Sequence, residues 1–177
     1  MNEHAPFIRL IANEDHYNEV LSRVAGVRRS LLIGTADIKD LHVRLAGSTT
    51  PFLGVLANLL RRGPEVRLIH AKEPGPAFRD DFDRYPILRA ALLRRLCPRV
   101  HFKIIVFDLE TAYIGSANLT GAGMGMKSPG RRNFEAGILT NEPSLVYAAV
   151  RLFDGVWQGA YCRACGRKEY CFDPVKL

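Results

Sequence analysis

The chain has 177 residues, 47% of them hydrophobic and 24% charged, the length and mix of one soluble globular domain with its own core. No stretch approaches the roughly 20 consecutive apolar residues of a membrane span, and Met1, Asn2, Glu3 and His4 lack the basic-then-apolar order of a secretory signal, so a cytoplasmic protein is expected. The formal charge of +7 is concentrated in Arg28 and Arg29, Arg61 and Arg62, Arg94 and Arg95, and Arg131 and Arg132. It attracts phosphate polyanions, nucleic acid or an anionic lipid surface, although a merely solvated basic surface has the same composition.

In chain order, residues 14–25 carry apolar side chains at Tyr17, Val20, Leu21, Val24 and Ala25 with Gly26 as a stop, which predicts a helix. Residues 30–36 form a short apolar run that fits a buried strand. Residues 52–62 read as a helix closed by Gly63 and Pro64, followed by an alternating strand over 66–71, which completes a βαβ unit. Residues 78–96 are helix-rich but interrupted by Pro86, which predicts two short helices. Strands are expected over 99–107, 112–115 and 134–140, and a last helix over about 143–158. Strands alternating with helices point to an α/β sandwich around a mixed sheet. Residues 1–160 read as the catalytic domain, with a Cys-rich tail over 161–177 packed on it.

The chemistry gathers at His101. His101 and Lys103 are two apart in a predicted strand, so both leave one face while Phe102 and Ile104 take the other. A nucleophile then stands beside a cation. Ser116 and Asn118 repeat the two-residue spacing at the end of the next strand, and both donate hydrogen bonds of the kind phosphate oxygens accept.

His101, Lys103, Asp108, Gly115, Ser116 and Asn118 meet every spacing of the HKD motif, and the chain resembles the phospholipase D superfamily. Six such positions arise by chance on the order of once in 100,000 sequences of this length. The resemblance implies an α/β/α sandwich with a mixed, mainly parallel sheet, and a phosphodiesterase that needs no catalytic metal. By the same resemblance His101 attacks phosphorus to form a phosphohistidine, and Lys103, Ser116 and Asn118 bind the non-bridging oxygens. The family's downstream acidic residue corresponds to Glu135, which would fix the histidine's tautomer. Asp108 belongs to the motif, but it lies five residues beyond Lys103 and therefore on the opposite strand face, which favours a structural role.

The family mechanism also needs a general acid, normally the histidine of a second motif. His4, His16 and His42 have no lysine two residues later, and His70, followed by Lys72, lacks the rest of the pattern and is expected to be structural. A homodimer that brings two copies of His101 together supplies the missing group. Small single-motif nucleases of this superfamily are built in that way.

The glycine-rich stretch 119–133 carries Lys127, Arg131 and Arg132, cations suited to a polynucleotide backbone. Nucleic acid is therefore the expected substrate. A lipid phosphodiesterase with Phe52, Leu53, Val55 and Leu56 lining an acyl site, and a non-catalytic nucleic-acid-binding module, are the alternatives. Cys162, Cys165 and Cys171 with Cys97 suggest a structural zinc site, with an iron–sulfur cluster or unligated thiols as the other readings.

Overall fold

Seven strands form one sheet in the order β1-β9-β8-β7-β2-β5-β6 in the computed structural model, which describes residues 5–39, 41–45 and 48–175. His4 lies outside the described residues. The strands are β1 (Ile8–Ala12), β2 (Ser30–Thr35), β5 (Glu65–His70), β6 (Leu93–Leu96), β7 (Lys103–Phe107), β8 (Thr111–Gly115) and β9 (Ala136–Thr140), with β3 (His42–Leu45) and β4 (Ser48–Pro51) making a separate hairpin. Among the described residues four α-helices accompany them: α1 (Phe52–Arg61), α2 (Pro76–Asp83), α3 (Pro86–Ala91) and α4 (Pro143–Trp157).

Burial explains the layers. Leu31, Ile33, Ile105, Tyr113 and Leu139 face a large core closed by α1 and the helical turns of residues 16–26. On the other sheet face Leu32, Ile104, Val106 and Ala112 pack against Val146, Ala149 and Phe153 of α4. The strand β2 is apolar on both sides because both of its sides are covered. The result is the expected α/β/α sandwich with a mixed sheet, including the βαβ unit β2-α1-β5.

The balance of strand directions differs from expectation. Five strands run one way, but the reversed β7 and β9 sit among them, so four of the six pairings are antiparallel and only β2-β5 and β5-β6 are parallel. Short turns cause this: β7 and β8 are joined by residues 108–110, too few for the crossover a parallel pair needs.

The segment predicted as a helix over 14–25 is a π-type turn, His16–Val20, followed by a 3₁₀ segment, Leu21–Gly26. The helical spacing is right, but the run is short and its N-terminal end is tied by a bond between His16 Nδ1 and the carbonyl of Asn13 at 2.9 Å. Within 78–96 the two helices appear, but the last four residues are the edge strand β6, paired with β5. Phe52, Leu53, Val55 and Leu56 are all buried in the α1 core, which removes the argument for an acyl site there. No helix among the described residues is long and apolar enough to cross a membrane.

Candidate active site

The parallel strands β2 and β5 set up the site, since ligands of open α/β sheets bind beyond the carboxyl ends of their strands. At that edge lie Thr35 ending β2, Lys103 opening β7, Gly115 ending β8 and Ala136 opening β9. Lys103, Gly115 and Gly137 form one row across three strands. A Cβ on Gly115 would collide with the Tyr113 hydroxyl, and one on Gly137 would come within 2.6 Å of the Tyr113 ring. Those two glycines let a buried tyrosine form the floor of the row. Burial raises the pKa of Tyr113, and its hydroxyl oxygen accepts from the backbone N–H of Ala117 at 3.4 Å.

His101 stands just before the ladder of β7, exposed, after a turn in which the N–H of Val100 donates to the carbonyl of Cys97 at 3.0 Å. The Phe102 ring lies over Gly34, where any side chain would displace it. Held that way, the chain turns His101 and Lys103 to the same side. The Lys103 ammonium donates to the His101 carbonyl at 2.7 Å and lies 3.3 Å from His101 Nδ1. Burial lowers the pKa of Lys103, against the opposing pull of the Glu135 carboxylate.

Ser116 Oγ donates to Glu135 and accepts from the N–H of Ala136 at 3.1 Å. Asn133 Nδ2 donates to the other Glu135 oxygen at 3.0 Å. Glu135 therefore meets Ser116 and Asn133 rather than His101. Asn118 Oδ1 accepts from the N–H of Asp37 at 3.1 Å and from Thr35 Oγ1 at 3.4 Å, which leaves its amide NH₂ as the donor for a ligand. Thus His101, Lys103, Ser116, Asn118 and Glu135 share one end of the sheet.

Asp108 does not join them. It lies at the far end of β7, in the turn to β8, where it and Leu109 have positive φ of 54° and 61°. Its carboxylate accepts from the backbone N–H groups of Arg28 (3.1 Å), Arg29 (2.6 Å) and Ser30 (3.1 Å). Burial works to raise its pKa, but these donors and the Arg29 guanidinium outweigh it and hold the carboxyl below its usual range.

Of the loop cations, Lys127 and Arg131 are exposed, whereas Arg132 is bonded to Glu14 and only 18% exposed. Thr35, Tyr113 and Asn133 were not singled out from the sequence. The signal for Thr35 was its place at the carboxyl end of a parallel strand; for Tyr113 it was its strand parity with Lys103, two residues before the Gly-Ser pair. His16 and His70 are fully buried.

Cys97, Cys162, Cys165 and Cys171 line a single cavity of about 880 Å³ between the tail and residues 97–102. All four are free thiols, and among the described residues no group of three or more His, Cys, Asp or Glu is placed to hold a metal ion. The zinc expectation is not supported. The tail has its own turns, with the N–H of Cys165 bonded to the carbonyl of Cys162 at 3.2 Å.

Residues 30–157 match the family model described as "Cardiolipin synthase, PLD-like domain". The chain belongs to the phospholipase D superfamily. Comparison with curated proteins returns no match. Among solved structures the chain is similar to Nuc, a phospholipase D family member from Salmonella typhimurium, at 19% identity and a TM-score of 0.64, covering 86% of this chain and 95% of Nuc. NucT from Helicobacter pylori gives 14% identity and a TM-score of 0.64, covering 86% and 96%. The archaeal chromatin protein TrmBL2, whose structure is described as showing a novel mode of DNA binding, gives 12% and 0.59, covering 89% of this chain and 55% of that one. At such identities these likenesses establish the phospholipase D-like fold.

Proposed function

We propose that this phospholipase D superfamily member is a phosphodiesterase that cleaves DNA or RNA through a phosphohistidine, in a site completed by a second copy of the chain. One observation carries the reading: an exposed imidazole stands 3.3 Å from a buried ammonium, at the end of the sheet that also carries Ser116 and Asn118. Neutral His101 attacks phosphorus, and the bond to the leaving oxygen breaks with its electron pair. The His101 of the second copy gives that oxygen a proton. Water then attacks the phosphohistidine, the second histidine takes the water's proton, and the P–N bond breaks to restore His101. Lys103, Ser116 and Asn118 donate to the non-bridging oxygens as charge builds. The cycle is complete with side chains alone.

An ammonium has only donors, so His101 Nδ1 is the acceptor of any bond from Lys103 and the neutral ring then carries its proton on Nε2. Attack by Nε2 requires the proton on Nδ1, donated to a carboxylate. We assign that carboxylate to Glu135, freed from Ser116 when substrate engages the serine. Lys127 and Arg131 would hold the flanking backbone. TrmBL2, similar in fold, is described as binding DNA, which supports the polynucleotide reading; the family description that names cardiolipin synthase keeps a lipid diester as the second reading.

The test is a cleavage panel of single- and double-stranded DNA, RNA, a small phosphodiester and phosphatidylcholine vesicles, with His101→Ala as control. Nucleic acid should be cut by the unaltered protein and left intact by the variant. Mixing the two should lower activity as the square of the unaltered fraction, to about a quarter in an equal mixture, since each site needs two histidines. A linear fall would remove the shared site; cleavage of lipid alone would replace the substrate; binding of nucleic acid without cleavage of any substrate would leave a non-catalytic module.

A further inference from the structure

Phe134 is 96% exposed, more than any other large apolar side chain among the described residues. Its backbone is held on both sides. The N–H of Asn133 donates to the carbonyl of Ala122 at 3.1 Å, and the carbonyl of Glu135 accepts from the N–H of Asn13 at 3.2 Å. Arg132 is bonded to Glu14, and Asn133 Nδ2 to Glu135 at 3.0 Å. A hydrophobic ring is thus projected into solvent from a fixed segment, next in sequence to the carboxylate of the site. The exposed cations Lys127 and Arg131 precede it in the same loop.

We infer that Phe134 is the platform on which a nucleobase beside the scissile phosphate stacks, so the substrate is a strand with unpaired bases. This rests on the nucleic-acid reading above and narrows its substrate class. An aromatic face beside cations is the pairing that binds single strands without regard to sequence, since every base has a π-face and every nucleotide a phosphate. In a duplex those base faces are already stacked on one another. The exposed Lys127 and Arg131 that precede the ring make this surface complementary to a polyanion.

The experiment measures binding of a fluorescein-labelled single-stranded oligonucleotide and its duplex to the His101→Ala protein, alone and combined with Phe134→Ala, Phe134→Leu or Phe134→Tyr, with the mass of each variant in solution. Ala and Leu should weaken single-strand binding about tenfold, Tyr no more than about twofold, and the preference for single strand over duplex should shrink with the first two. Unchanged affinity in the Ala variant, or a Leu variant equal to its parent, overturns the stacking role. A change of dimer to monomer on Phe134→Ala gives the ring to the second copy and overturns it too. Failure of the enzyme reading is separate: the His101 protein then cuts no nucleic acid, while the effect of Phe134 on binding stands.

Discussion

The Lys103 ammonium lies 3.3 Å from Nδ1 of His101, and burial lowers its pKa while Glu135 holds it up. A cation is needed where negative charge develops on phosphorus. As pH rises through the lowered pKa of Lys103 that cation is lost, so the alkaline limb of kcat/KM should fall below the ordinary lysine value of 10.5. Lys103→Arg should move the limb upward, beyond the measured range, and Lys103→Ala should cost about 100- to 1,000-fold in kcat. Glu135→Gln removes the charge that supports the ammonium and should move the limb down. A pH profile on a small phosphodiester checks all three; a limb that stays in place in Glu135→Gln breaks the link between the two groups.

Asp108 ties the β7-β8 turn to the start of β2 through three backbone donors. Asp108→Asn keeps the shape and removes the charge, and should cost about 1.5–3 kcal/mol of stability in urea unfolding. Activity at low temperature should stay within about threefold of the parent, because the residue stands at the other end of β7. A variant as stable as the parent but without activity would return Asp108 to the chemistry.

The sequence made the motif legible because its spacing is set by strand geometry: side chains two apart share a face, and His101, Lys103, Ser116 and Asn118 lie at one end of the sheet. The βαβ unit and α4 were legible for the same reason, strong periodicity. What stayed hidden depends on tertiary pairing. The edge strands β1 and β6 are short and half-exposed, and β6 carries Arg94 and Arg95, whose charge reads as surface. In the fold Arg94 donates to His70 at 2.6 Å, and Arg95 lies 5.0 Å over Trp157. Much of the basic balance is thus engaged within the chain. The present bonding of Glu135 to Ser116 was equally invisible, since both residues suit either partner.

The pKa of the Cys165 thiol is lowered, first by the backbone N–H of Arg167, 3.5 Å from its sulfur, and then by the Arg99 side chain. The thiolate is the reactive form, so Cys165 should be the first of the four cysteines alkylated by iodoacetamide at pH 7, read by peptide mass spectrometry. Cys165→Ser should remove the fast phase. Protection of Cys165 together with Cys162, relieved by a chelator, would contradict this and restore the zinc expectation.

His70 ends β5 with no exposure to solvent, and its two ring nitrogens define one tautomer. Arg94 Nε donates to Nε2 at 2.6 Å, so Nδ1 carries the proton and donates it to the carbonyl of Lys72 at 2.8 Å. A second proton would set N–H against N–H beside a guanidinium. Burial and Arg94 accordingly push the pKa from 6.5 down to about 4. Between those values the unfolded chain binds a proton that the folded chain refuses, so stability must fall as pH drops from about 6.5 to about 4 and level off below. At about 1.4 kcal/mol per unit the loss across the window is on the order of 3 kcal/mol. Urea midpoints at pH 7 and pH 4.5, both above the range where Asp108 titrates, should show most of it. His70→Gln should flatten the dependence at the cost of lower stability at pH 7, leaving the smaller slope due to His16, whose pKa burial also lowers. Equal pH slopes in parent and variant would mean that His70 is not held neutral by this pair of bonds.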